Sequence, residues 1–187
     1  SSNIPVKYGN FLGGVVDAEL VDPRLDRWHA VVEGRHTQSE WHNLRGVDAD
    51  SDDPVNQPRF RTSKVQAMVD GPMSERAGLL FAASRLESVI PLKFQELDGA
   101  LRDKDQYRSN ENVFARMLVL PSHDLRITLD GTYAPYFEER WRKGWDDSEW
   151  VLSNRAWRFG GSAELERAWG LFAGRLVYSR NGFSRDA

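Results

Sequence analysis

Leu125-Arg126-Ile127-Thr128-Leu129-Asp130-Gly131-Thr132-Tyr133 is the stretch on which the reading of this chain turns. Its odd positions are apolar or glycine, and its even positions are charged or hydroxylic. Successive side chains of a strand point to opposite sides of the sheet, so this segment has one greasy face and one wet face. The same alternation recurs on both sides of it. Working outward, it predicts an all-β, antiparallel up-and-down meander that forms part of a large barrel wall.

The alternation first shows over about 26–36, where Trp28, Ala30, Val32 and Gly34 oppose Arg27, His29, Glu33 and Arg35. A second strand is expected over about 59–70, with Val65, Ala67 and Val69 against Lys64, Gln66 and Asp70. Asp70-Gly71-Pro72 carries turn chemistry, and a third strand over about 77–89 follows it closely. The fourth, about 112–120, sets Val113, Ala115, Met117 and Val119 opposite Arg116. Its polar parity also holds Phe114, Leu118 and Leu120, so its alternation is imperfect. Pro121-Ser122-His123-Asp124 turns into the deciding stretch. The sixth strand, about 150–167, shows Trp157, Phe159, Ala163 and Leu165 against Arg158, Ser162, Glu164 and Glu166. After Ala168-Trp169-Gly170 a seventh presents Phe172, Gly174, Leu176 and Tyr178 away from Arg175.

Between these strands the polar stretches 43–57, 91–110 and 138–147 read as long loops, and the other connections are short. Segregation of loop length by end is what a barrel with one periplasmic and one exterior side requires. Two segments also fit a helix. Within 74–101, Leu79, Leu80, Ala83, Leu86 and Ile90 match an i, i+3, i+4 face, and 162–169 is built from helix formers. The strand reading is preferred because both lie where the rhythm requires a strand. A helical 74–101 would instead make a mixed α/β domain.

Composition narrows the function classes. Mean hydropathy is −0.59, and no run of about 18 apolar residues exists, so a transmembrane helix is excluded. A membrane barrel is not, because lumen-facing polar residues dilute the lipid-facing ones. Net charge is −3, which gives no argument for a nucleic-acid partner. Cysteine is absent, so thiol-based metal and redox chemistry is out. Asp48-Ala49-Asp50-Ser51-Asp52-Asp53 lacks the glycine and glutamate of an EF-hand loop, since those places hold Asp53 and Arg59. It reads as a solvated loop. His29 and His36 differ in parity and cannot share a metal; His42 and His123 sit near opposite ends. No nucleophile elbow, dinucleotide fingerprint or phosphate loop is present. Glu164 and Glu166 share a face, where they read as a polar wall. The expectation is therefore no catalytic residue, no metal site and no cofactor.

The order of segments resembles a family. Pro5-Val6-Lys7-Tyr8-Gly9-Asn10-Phe11-Leu12-Gly13-Gly14-Val15-Val16-Asp17-Ala18-Glu19-Leu20 resembles the end of the plug domain of TonB-dependent outer-membrane receptors. Ser84-Arg85-Leu86-Glu87-Ser88-Val89-Ile90-Pro91-Leu92, then Arg108-Ser109-Asn110-Glu111-Asn112, is similar to their third and fourth barrel strands. Tyr136-Phe137-Glu138-Glu139-Arg140-Trp141 and Asp146-Asp147-Ser148-Glu149-Trp150 are similar to a later exterior loop.

The resemblance implies a plugged barrel of about 22 strands in a Gram-negative outer membrane. Residues 1–23 would end the plug, and 24–187 would supply the first seven or so strands, so the chain would be one piece of a larger barrel. It further implies uptake of a scarce nutrient (a siderophore, corrinoid or oligosaccharide), energised by an inner-membrane coupling complex. The partners would then be that ligand, that complex and outer-membrane lipid. Ligand contacts are expected from the loop-tip residues Trp41, Tyr107, Trp141 and Trp145 and from the lumen arginines Arg116, Arg126 and Arg158. The competing expectation is a complete soluble or surface-exposed β-barrel or β-sandwich binding module with no transport role.

Overall fold

The computed structural model describes residues 21–41, 60–95, 101–141 and 149–186. Seven strands follow one another in a single sheet. They are β1 (His29–Gln38), β2 (Arg61–Ser74), β3 (Ala77–Gln95), β4 (Leu101–Ser122), β5 (Leu125–Trp141), β6 (Glu149–Arg167) and β7 (Gly170–Asp186). A short 3-10 helix, Ser39–Trp41, follows β1. The sheet order is the chain order, and every neighbour pair is antiparallel. Among the described residues β1 and β7 are the two free edges. Of the two segments with helical character, 77–95 is β3 and 162–167 closes β6, so among the described residues neither is a helix.

The long loop expected over 91–110 is a correction. β3 continues to Gln95 and β4 begins at Leu101, with Val89 opposite Tyr107 and Gln95 opposite Leu101. The polar run misled because β3 and β4 keep their backbone ladder past the apolar field, and the ladder needs no apolar period in the side chains. The loop expected over 138–147 shrinks for the same reason, since β5 runs on to Trp141 and β6 starts at Glu149. At the other end the links β2–β3, β4–β5 and β6–β7 are two-residue turns. The segregation of loop length therefore holds.

Parity sorts most strand residues between the two faces. One face carries Val65, Val69, Phe81, Met117, Ile127, Leu129, Phe159 and Leu176; among them Leu129 is 47% and Leu176 80% exposed, with no second layer over them. Aromatics bound this field. Tyr133 and Trp157 stack at 4.0 Å at one end, and Trp169 packs edge-on to Phe172 at 5.1 Å at the turn end. Outward residues beyond the first ring turn charged: Arg85, Glu87, Glu111, Arg155 and Arg180. Leu125 to Tyr133 covers about 26 Å along the strand at about 3.3 Å per residue, or about 20 Å of height at a tilt near 40°. That suits an apolar band about 25 Å tall flanked by aromatic girdles.

The opposite face holds the arginines of the polar parity and, at its turn end, a covering segment. Residues 21–28 precede β1, and a Cβ added at Gly78 would lie 2.9 Å from Leu25 and 3.1 Å from Pro23. Leu118, the register partner of Gly78, and Leu80 beside it are the two buried hydrophobic residues among the described residues. This cover explains the broken alternation: Leu80 and Leu118 sit on the polar parity because 21–25 shields them from water. It also explains the helical look of 74–101, where apolar residues fall on both strand faces.

Trp28 lies across Gly71 on the apolar face, so close that an added Cβ would stand 2.5 Å from its ring. Gly71→Ala should therefore cost about 1–2 kcal/mol by overpacking. In a Trp28→Ala background the same substitution should cost under about 0.5 kcal/mol. Urea unfolding in micelles reads both; equal costs in the two backgrounds would refute the packing account.

Candidate functional site

The polar face is organised by two carboxylates near its turn end. Asp22 is clasped by the guanidiniums of Arg116, at 2.8 Å, and Arg126. β4 and β5 supply these arginines on the same parity, and Arg116 faces Asp130 in register. Glycine at 160 leaves the space: a Cβ there would lie 2.8 Å from an Asp130 carboxylate oxygen. The Arg116 side chain is only 11% exposed, so its charge depends on these partners. The second carboxylate is Asp70, 3% exposed on β2. It accepts a hydrogen bond from the Arg24 backbone N–H at 3.2 Å, with the Arg24 guanidinium at 3.7 Å and His29 Nδ1 at 3.5 Å. Together the two nodes fasten the segment before β1 to the wall.

A third cluster lies toward the opposite end of the same face. Glu138 on β5 is fully buried. Gln106 Nε2 donates to its Oε1 at 2.9 Å and the Tyr136 hydroxyl to its Oε2 at 2.8 Å, while Arg108 Nε stands 2.9 Å from Oε1. Sequence reasoning missed this cluster because it ended the alternation at 112 and 133. The signal was there: 106, 108, 136 and 138 continue the even, polar parity of β4 and β5.

The residues expected to touch ligand are dispersed. Arg116 and Arg126 come together at Asp22, a convergence that parity did not reveal. Arg158 lies on the same face farther along β6 and lines a 250 Å³ hollow with Thr132, Ala156 and Asn181. A larger hollow of 390 Å³ lies over β2–β4, lined by Val31, Met68, Ala82 and Phe114 with Gln66 and Asn112. Trp41 is exposed at the end of the 3-10 helix, edge-on to His36 at 5.3 Å. Tyr107 is not at a loop tip. It lies within β4 on the apolar-parity face, donating to Glu87 at 3.0 Å and tilted against Phe137. Trp141 closes β5, and Trp145 lies outside the described residues, as do the acidic cluster 48–53 and residues 1–20. Among the described residues no group of three His, Cys, Asp or Glu could hold a metal ion.

Asp22→Ala should free the segment before β1. It removes an ion pair with Arg116 and a charge-assisted hydrogen bond from Arg126. Arg126 is 40% exposed and can turn to water, and Arg116 keeps Asp130 opposite it, so the expected loss is about 1–2 kcal/mol. Trypsin should cut after Arg24 several-fold faster in the variant than in the parent in micelles. An unchanged rate would mean that Asp70 alone holds the segment.

A two-faced antiparallel meander of this kind, apolar and aromatic on one face and charged on the other, has the fold of a stretch of barrel wall. Among solved structures the chain is similar to the outer membrane transporter YddB from Escherichia coli. The match has a TM-score of 0.79 at 17% identity, over 94% of this chain and 24% of that one. The chain thus spans about a quarter of that transporter's length. No protein-family model matches it, and no curated protein does.

Proposed function

We propose that this chain forms part of the wall of an outer-membrane transport barrel that takes up a scarce nutrient with energy delivered from the inner membrane. The observation that carries the reading is the division of the two faces. An exposed apolar field bounded by aromatics suits lipid, and the face behind it gathers arginines and carboxylates suited to a hydrated passage. The role is binding and passage without catalysis. Metal chelates, corrinoids and oligosaccharides are the candidate cargo, met by Arg158 and the exposed Trp41.

The test is made on the gene product in its host. It should fractionate with the outer membrane, require detergent for extraction, and support uptake that stops when the inner-membrane proton gradient is collapsed. Uptake that persists without the gradient would leave a passive channel. A product that stays soluble and folded in plain buffer would replace the transporter with a binding module.

A further inference from the structure

Two polar atoms on the charged face are buried without a hydrogen bond although each has a natural partner beside it. Oδ2 of Asp130 on β5 is one, and Nε of Arg116, its register partner on β4, is the other. Among the described residues no ion pair joins them. The Asp130 carboxylate lies instead against Gly160 on β6, where a Cβ would stand 2.8 Å from one oxygen and 2.9 Å from the other. Arg116 is turned to Asp22 on the covering segment, at 2.8 Å. That contact is an ion pair without hydrogen-bond geometry, since Asp22 Oδ1 is also unbonded. Buried polar groups are nearly always paired, so an orphan carboxylate beside an arginine held elsewhere is accounted for by a second state in which the two meet. The strands involved, β4, β5 and β6, are interior, so neither free edge of the sheet enters.

What the covering segment would leave behind defines that state. Lifting 21–25 takes Asp22 away from Arg116, whose side chain is 11% exposed, and from Arg126, which is 40% exposed and turns readily to water. A stranded Arg116 charge would make lifting costly. Opposed strand residues have Cβ atoms about 4.5–5.5 Å apart, within easy reach of an arginine, so a change of rotamer brings Arg116 onto Asp130. The Asp70 node is provided for in the same way. When Arg24 withdraws, His29 Nδ1 remains 3.5 Å from the Asp70 carboxylate, and it too is buried and unbonded. An imidazole N–H there can donate to that carboxylate.

We propose that Arg116 is the moving part of a reversible latch. It holds Asp22 while the segment 21–25 lies on the wall and passes to Asp130 when the segment lifts, which uncovers Leu80 and Leu118. Its charge is paired in both states, so the apolar cover of those two leucines sets most of the difference between them. The exchange concerns the polar face alone and holds whatever lies against the apolar one.

The experiment uses the full gene product in micelles, or in plain buffer should it prove soluble, with the rate of tryptic cleavage after Arg24 as the measure of opening. Asp130→Asn removes the standby partner and should slow cleavage about 10-fold, although no hydrogen bond or ion pair ties Asp130 to the segment. Asp124→Asn, which takes an exposed carboxylate from Arg167 at the turns, should leave the rate unchanged. A double-mutant cycle of Arg116→Gln and Asp130→Asn, read from the unfolding equilibrium in urea, separates exchange from mere repulsion between the two aspartates. The coupling should stay within about 2-fold in the parent and rise to about 10-fold once Asp22→Ala has freed the arginine. An unchanged or faster cleavage of Asp130→Asn, or a coupling equal in the two backgrounds, overturns the latch.

Discussion

Glu138→Ala should lower the unfolding free energy by about 3 kcal/mol, read as a shift of the urea midpoint in micelles. The carboxylate is fully buried and takes donors from Gln106, Tyr136 and Arg108, which belong to two strands. Alanine strands those donors against a surface that water does not reach, at about 1–3 kcal/mol each. Arg108 is 42% exposed and can turn to solvent, so the full penalty of an unpaired buried charge does not apply. Glu138→Gln keeps one acceptor oxygen and should recover about half of the loss. A Glu138→Ala variant within about 0.5 kcal/mol of the parent would show that the cluster does not tie β4 to β5.

Leu129→Arg tests the outward field itself. Leu129 lies within the apolar field on β5, flanked by Met117 and Gly161 on the neighbouring strands. Against hydrocarbon an arginine there should cost about 2–4 kcal/mol, and on the same face beyond the aromatic ring about 0–1 kcal/mol. Ser153→Arg, which follows Arg155 outward on β6, is the second position. The expected result is poor membrane assembly for the first variant and near-parental behaviour for the second. If both are neutral and Leu129→Arg raises solubility, the face meets water, as in a soluble binding module. The contrast between the two positions measures the boundary of the lipid, not the tolerance of the strand.

Much of the strand content was readable because parity is a local property. Val65, Ala67 and Val69 on one side and Lys64, Gln66 and Asp70 on the other need only the period of two to be assigned. The faces assigned to Arg116, Arg126, Asp130, Arg158, Glu164, Glu166 and Arg175 agree with the observed register. Where local reading failed, a non-local neighbour was responsible. Leu80 and Leu118 looked misplaced until 21–25 covered them. Tyr107 looked like a loop residue because β3 and β4 pair far beyond the apolar field, where polar side chains stand on both faces.

The amino-acid order by itself determined the two-faced strands, the alternation of short and long connections, and the absence of a membrane-spanning helix, because each depends on residues a few positions apart. Which polar residues meet was decided only by the tertiary structure. Asp22 reaches Arg126 across 104 positions, and Gln106 reaches Glu138 across 32. Such partners are chosen by strand register, and register is a property of the whole sheet: a slip of one residue would send every side chain to the other face.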